Sequence, residues 1–141
     1  VSEQPRSLAE DTAKLNWSIL IIDDVFDNLA IMRITLARGG FQVYTAQSAE
    51  ACFAVLETVT PTAILLDIRM PKVDGLEVFR IIRADPKTKH IPVIAVTAHV
   101  MPGDQERILE AGFDGYIAKP FAVVKLTTQV RDFIIQAHSK R

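Results

Sequence analysis

Five side chains of this 141-residue chain have types and settings that suit joint chemistry: Asp23, Asp24, Asp67, Thr97 and Lys119. Asp67 is a lone charge closing the apolar run of "TAILLDIRMPKVDG" (62–75). Asp23 and Asp24 follow "WSILII", Thr97 follows "IPVIAV" and Lys119 follows "FDGYIA". Taken one at a time, the aspartates could be helix N-caps, Thr97 a β-former and Lys119 a solvated charge. Taken together they make a different case, because three carboxylates at one point repel and raise one another's pKa unless a cation compensates them. An all-oxygen set, with no His or Cys at metal spacing, favours a hard ion such as Mg²⁺, which keeps several waters and readily shares its shell with a phosphate. An ammonium (Lys119) and a hydroxyl (Thr97) facing the same pocket would complete an anion site. Carboxylate nucleophile, divalent metal, lysine and hydroxyl describe phosphoryl transfer to an aspartate. The chain has no GxxxxGK[ST] loop, so a nucleotide is not the obvious donor.

The elements that must deliver these residues are legible as an alternation. Short, β-rich apolar runs at 17–22, 41–46, 62–66, 91–96 and 113–118 read as strands. Between and after them lie five patterns of helical spacing, of which the fourth covers 102–111 and the fifth 122–137. Ser48 and Asp74 suit N-caps, Pro102 a first helical turn, and Gly39-Gly40 and Gly112 C-terminal caps. Five strand-helix units predict an α/β fold, a doubly wound five-stranded parallel sheet with helices on both faces. In such folds the site lies outside the carboxyl ends of the strands. The second strand ends in Thr45 and Ala46 and contributes nothing obvious, as expected of an edge strand in the flavodoxin-like order 2-1-3-4-5.

Length and charge bound the function classes. The chain suits one domain. Sixteen Lys and Arg against seventeen Asp and Glu, without blocks of either sign, leave no footprint for nucleic acid. No apolar run reaches the length of a membrane span and no secretion signal is evident, so a cytoplasmic protein is expected. Cys52, the only cysteine, is expected to be a buried small hydrophobe. Residues 1–16 read as an arm or linker, 17–137 as the domain and 138–141 as a tail.

The segments "ILIIDD" (19–24), "LLDIRMPKVDG" (65–75), "VTAH" (96–99) and "GYIAKPF" (115–121) resemble, in order and spacing, the receiver domain of two-component response regulators. The resemblance implies that Asp67 accepts a phosphoryl group from a phosphohistidine on a sensor histidine kinase or histidine phosphotransfer protein. It implies that the side chains of Asp24 and Asp67 and the main-chain carbonyl of Arg69 bind Mg²⁺, with Asp23 acting largely through water. It further implies that Lys119 contacts the phosphoryl oxygen and precedes a cis Pro120, and that Thr97 and Tyr116 form a switch. That switch would remodel the face made by helix four, strand five and helix five for a downstream protein target. Ala98 leaves room for a donor. Arg69 and His99, two residues past Asp67 and Thr97, stand at places that in receivers can set the phosphate's lifetime, while His99 equally fits a solvent-facing loop residue. His90 and His138 read as surface residues.

Two other functions fit the same residues. One is a Mg²⁺-dependent aspartyl-phosphate phosphatase or phosphotransferase acting on an external substrate. The haloacid-dehalogenase type would need a second acid where Arg69 stands, which leaves general acid catalysis unsupported and favours a signalling domain over an enzyme. The other is a docking module that is never phosphorylated, although such domains usually lack part of the set that is complete here.

Overall fold

The computed structural model describes residues 15–70, 74–98 and 103–139. Five strands alternate with five helices: β1 (Ser18–Ile22), α1 (Phe26–Arg38), β2 (Gln42–Ala46), α2 (Ala49–Thr58), β3 (Ala63–Asp67), α3 (Gly75–Ala84), β4 (Val93–Thr97), α4 (Asp104–Glu110), β5 (Gly115–Ala118) and α5 (Val123–Ser139). All pair in parallel, in the order β2-β1-β3-β4-β5. This is the doubly wound sheet that the alternation predicts.

Two cores follow from the alternation of side chains across each strand. Leu20, Ile22, Ile64, Leu66, Val93 and Ala95 face one side, where Cys52 of α2, Val78, Phe79 and Ile82 of α3, and Ile108 of α4 cover them. Ile19, Ile21, Leu65, Ile94, Val96 and Ile117 face the other, under Leu29, Met32 and Leu36 of α1 and Leu126, Val130 and Ile134 of α5. Every residue of β1, β3 and β4 is buried, whereas β2 at the edge is partly exposed and buries only Ala46 fully. Cys52 is fully buried, and that burial pushes its thiol up to about 12, leaving it protonated and unreactive at neutral pH.

Local chemistry sets the ends of the elements. Ser48 caps α2 by accepting from Ala51 N at 3.1 Å, and Asp74 caps α3 by accepting from Leu76 N at 3.0 Å. Gly40 and Gly112, just past α1 and α4, adopt φ of 96° and 111°, which glycine tolerates without strain. Several boundaries differ from the expected ones. β4 starts at Val93 because Ile91 N closes a turn on Thr88 O and Pro92 has no N–H to give the ladder. β5 starts at Gly115: Phe113 turns into the core and Asp114 spends its carboxylate on Arg83 and on Val93 N. β3 runs one residue further than expected and takes in Asp67. The helix expected at 102–111 is described from Asp104 to Glu110, with Pro102 outside the described residues. The expected tail begins late, since α5 continues through His138 to Ser139, whose hydroxyl donates to Ile135 O at 3.0 Å. The expected arm lies outside the described residues except for positions 15 and 16. No described helix is long and apolar enough to cross a membrane.

Candidate functional site

The carboxyl ends of β1, β3 and β5 deliver Asp23, Asp67 and Lys119 to one place. Lys119 Nζ lies 2.6 Å from Asp23 Oδ2 and 3.2 Å from Asp67 Oδ2. The remaining oxygens of the two carboxylates accept from main chain, Asp23 Oδ1 from Val25 N at 2.9 Å and Asp67 Oδ1 from Arg69 N at 3.0 Å. These bonds tie each carboxylate to the loop that follows it, so the loops and the side chains are positioned together. Gly75 packs α3 tightly behind this arrangement. A Cβ there would stand 2.6 Å from Ile68 Cα and 2.7 Å from Asp67 O.

Asp23 and Asp67 are buried, with relative exposures of 0% and 5%, while Asp24 is half-buried and open to the cleft. Each of the three offers a ligand atom, and these atoms all lie within 4.8 Å of one another. Asp24 has no hydrogen bond or ion pair among the described residues. Burial pushes the Asp67 carboxyl above the ordinary range. The Arg69 N–H and the Lys119 charge pull it down, the Asp23 charge adds to the rise, and burial prevails. Burial also works against the Lys119 charge, but its hydrogen bond to Asp23 and the charges of Asp23 and Asp67 outweigh that and hold its pKa above the ordinary value. Lys119 is therefore charged, yet it stands nearer Asp23, and Asp67 is compensated only in part. Three carboxylates around one ammonium, all oxygen donors and one of them unpartnered, fit a hard divalent cation such as Mg²⁺.

An open cleft of about 760 Å³ gives access to these groups, lined by Asp24, Asn28, Asp67, Met70, Ala98 and Lys119 among others. Thr97 ends β4 at the carboxyl edge of the sheet, beside Asp67 of β3. It lines an adjacent recess of about 250 Å³ together with Leu76 of α3 and Ile108 and Arg107 of α4. Strand alternation is the reason: Leu65 and Val96 face α1 and α5, so Asp67 shares that side and Thr97 the opposite one. Ile68 and Arg69 line both spaces and form the wall between them. Tyr116 belongs to the same face as Thr97, half-buried against the core under α3 and α4. Burial, then the Asp104 charge, pushes its hydroxyl pKa upward.

Arg69 is exposed at the rim. The Lys119-Pro120 bond is cis, as the resemblance implies. His99 lies outside the described residues. Asn28 and Met70 line the cleft without having stood out in the sequence, and Asp74, expected only as a helix cap, lines it too. Asn28 could have been suspected, since it follows Asp24 by four residues at the start of a helix, one turn away.

A sequence model of the response regulator receiver domain matches residues 19–131. The chain belongs to this family. The receiver is 34% identical over 117 residues to the polar-differentiation response regulator DivK of Brucella ovis, a match that spans 83% of this chain and 95% of that protein. Among solved structures it is similar to a response regulator from Desulfuromonas acetoxidans, with a TM-score of 0.76 and 28% identity over 85% of this chain and 98% of the other. It is also similar to the receiver domain of a signal transduction histidine kinase from Syntrophus aciditrophicus, with a TM-score of 0.74 and 29% identity over 85% and 91%. Receiver domains are signalling domains of two-component systems, and the acidic cluster of this one is placed where the fold family puts its ligands.

Proposed function

We propose that this receiver takes a phosphoryl group onto Asp67 from the phosphohistidine of a sensor histidine kinase or histidine phosphotransfer protein, in the cytoplasm. An Asp67 carboxylate oxygen attacks phosphorus as the P–N bond breaks, leaving an acyl phosphate on the protein and the imidazole with the bonding pair. Hydrolysis of the acyl phosphate by water returns the carboxylate and releases inorganic phosphate. The observation that carries this proposal is the Asp67 carboxylate itself, open to the cleft, beside Asp23 and Asp24 and held by Lys119 at 3.2 Å.

The side chains of Asp24 and Asp67 and the main-chain carbonyl of Arg69 would hold Mg²⁺, with Asp23 acting through water. When bound, the cation supplies positive charge that offsets both the carboxylate repulsion and the charge on the phosphoryl oxygens. Lys119 supplies a second, permanent positive charge to those oxygens, and small Ala98 leaves the approach to phosphorus open. Thr97 and Tyr116 act as the switch: the Thr97 hydroxyl is drawn past the Ile68-Arg69 wall toward the phosphoryl group, and Tyr116 moves into the vacated space on the same face. The surface of α4, β5 and α5 then changes for a downstream protein target. Arg69 and His99 would tune the lifetime of the phosphoryl group. The functional unit runs from residue 17 to the end of α5.

Incubation with acetyl phosphate and Mg²⁺ followed by intact-mass measurement tests this proposal. A phosphoryl adduct that needs Mg²⁺ and disappears in EDTA is expected. No adduct, with Mg²⁺ present and wild-type protein folded, would favour the docking module; steady release of phosphate from many phosphomonoesters would favour the phosphatase.

A further inference from the structure

Asn28 lies in the first turns of α1 and lines the cleft alongside Asp24 and Asp67, half-buried. Its carboxamide makes no hydrogen bond to any described residue. Asparagine is a weaker helix former than alanine by roughly half a kcal/mol in a helix interior, and here it returns no bond to any described residue. The surrounding wall gives it no neutral polar company, since Val25, Ile68, Met70 and Ala98 offer no strong side-chain donor or acceptor. Of the charged groups lining the cleft, Lys119 is engaged on Asp23 and Asp67 and Asp74 accepts from Leu76 N, while the side chains of Asp24 and Arg69 have no partner among the described residues.

A hard divalent cation keeps several waters, and those waters are strong hydrogen-bond donors that need acceptors held in place. Asp24 and Asp67 can bind the cation directly. Asp23 already accepts from Val25 N and Lys119 Nζ. Along the α1 wall the acceptor left over is the Asn28 side-chain oxygen. We propose that Asn28 is a positioning residue of the metal centre, its side-chain oxygen accepting a hydrogen bond from a water on the cation held by Asp24 and Asp67. This rests on the metal-binding part of the proposed function. Its consequence is that Asn28 sets the affinity for Mg²⁺ without touching the phosphoryl group.

Titration with Mg²⁺ alone, followed by calorimetry or by amide chemical shifts, tests this in wild type, Asn28→Ala, Asn28→Leu and Asn28→Asp. Asn28→Ala and Asn28→Leu should each raise the Mg²⁺ Kd by about tenfold, the scale of lost outer-shell partners. Asn28→Asp, which keeps an acceptor and adds charge, should bind at least as tightly as wild type. Thermal midpoints in EDTA should be unchanged or slightly raised for Asn28→Ala. Wild-type affinity in both the Ala and Leu variants would overturn the inference, as would a loss of metal-free stability parallel to the loss of affinity. If wild-type protein itself bound no Mg²⁺, or Asp24→Asn left binding intact, the metal site would fall first and Asn28 with it.

Discussion

Asp67 and Thr97 close neighbouring strands yet present their side chains to opposite faces of the sheet, Asp67 to the acidic cleft and Thr97 to the recess between α3 and α4. The Ile68-Arg69 wall stands between them, and in the proposed switch Thr97 responds to the chemistry from across it. Thr97→Ala should therefore leave Mg²⁺ binding unchanged and alter the initial rate of phosphorylation by acetyl phosphate by less than about threefold, under 1 kcal/mol. It should abolish the phosphorylation-dependent shifts at Tyr116, and Thr97→Ser should restore them. NMR of the beryllofluoride adduct checks both. Persistence of the Tyr116 shifts in Thr97→Ala would remove Thr97 from the switch.

Among the described residues Lys119 is the one ammonium shared by Asp23 and Asp67. Lys119→Met keeps much of the apolar stem and deletes the charge. Loss of a preorganised donor at developing charge costs about 10²–10³ in rate, and a fall of that order is expected in the first-order phosphorylation rate at saturating Mg²⁺. Mg²⁺ itself should bind no more weakly, because a competing cation has been removed. Stopped-flow or quenched phosphorylation assays, paired with metal titration, separate the two effects.

Gly75 is required by close approach rather than by an unusual φ. A methyl group there meets the backbone of Ile68 and Asp67 at 2.6 to 2.8 Å, and those atoms cannot give way without moving the acceptor. Gly75→Ala should cost about 1–3 kcal/mol in urea unfolding, the usual scale of overpacking. It should also slow phosphorylation, and a variant of lower stability with wild-type phosphorylation kinetics would separate Gly75 from the site.

Much of this was legible beforehand, and the departures have physical causes. The residues that end β1, β3 and β5 could be picked out because a charge at the close of an apolar run is rare without a partner. The silent end of β2 supported the sheet order, one of the two common to doubly wound folds. The facing of Thr97 is encoded in the two-residue period of β4, but seeing it requires knowing which core Val96 joins, and that depends on helices far along the chain. The role of Arg83 was invisible for the same reason. Its guanidinium donates to Ile91 O at 2.6 Å and Asp114 Oδ2 at 2.8 Å and lies over the Phe79 ring. That clamp joins three segments separated by up to 31 residues, and neither Arg83 nor Asp114 carries a local signal of it.

Acid and alkali should act on the metal-free protein through different groups. A carboxyl whose folded pKa is raised holds its proton more tightly folded than unfolded. Asp67 therefore becomes destabilising as pH climbs from the unfolded value near 3.8 through its raised folded pKa, and its cost is constant above that. Lys119 works at the other end, its stabilisation intact below 10.5 and lost as pH rises through its raised folded pKa. In EDTA, Asp67→Asn should thus gain stability relative to wild type between pH 4 and pH 7. Urea midpoints at the two pH values check the sign, and a relative gain by wild type over that span would contradict it.

The most direct measurement locates the phosphoryl group. After reaction with acetyl phosphate and Mg²⁺, borohydride reduces an aspartyl phosphate to homoserine, and peptide mapping then reads which aspartate was modified. Homoserine at position 67, absent without Mg²⁺ and absent in Asp67→Asn, is the predicted result. Homoserine at Asp23 or Asp24 in wild type, or none at any position, would contradict the account.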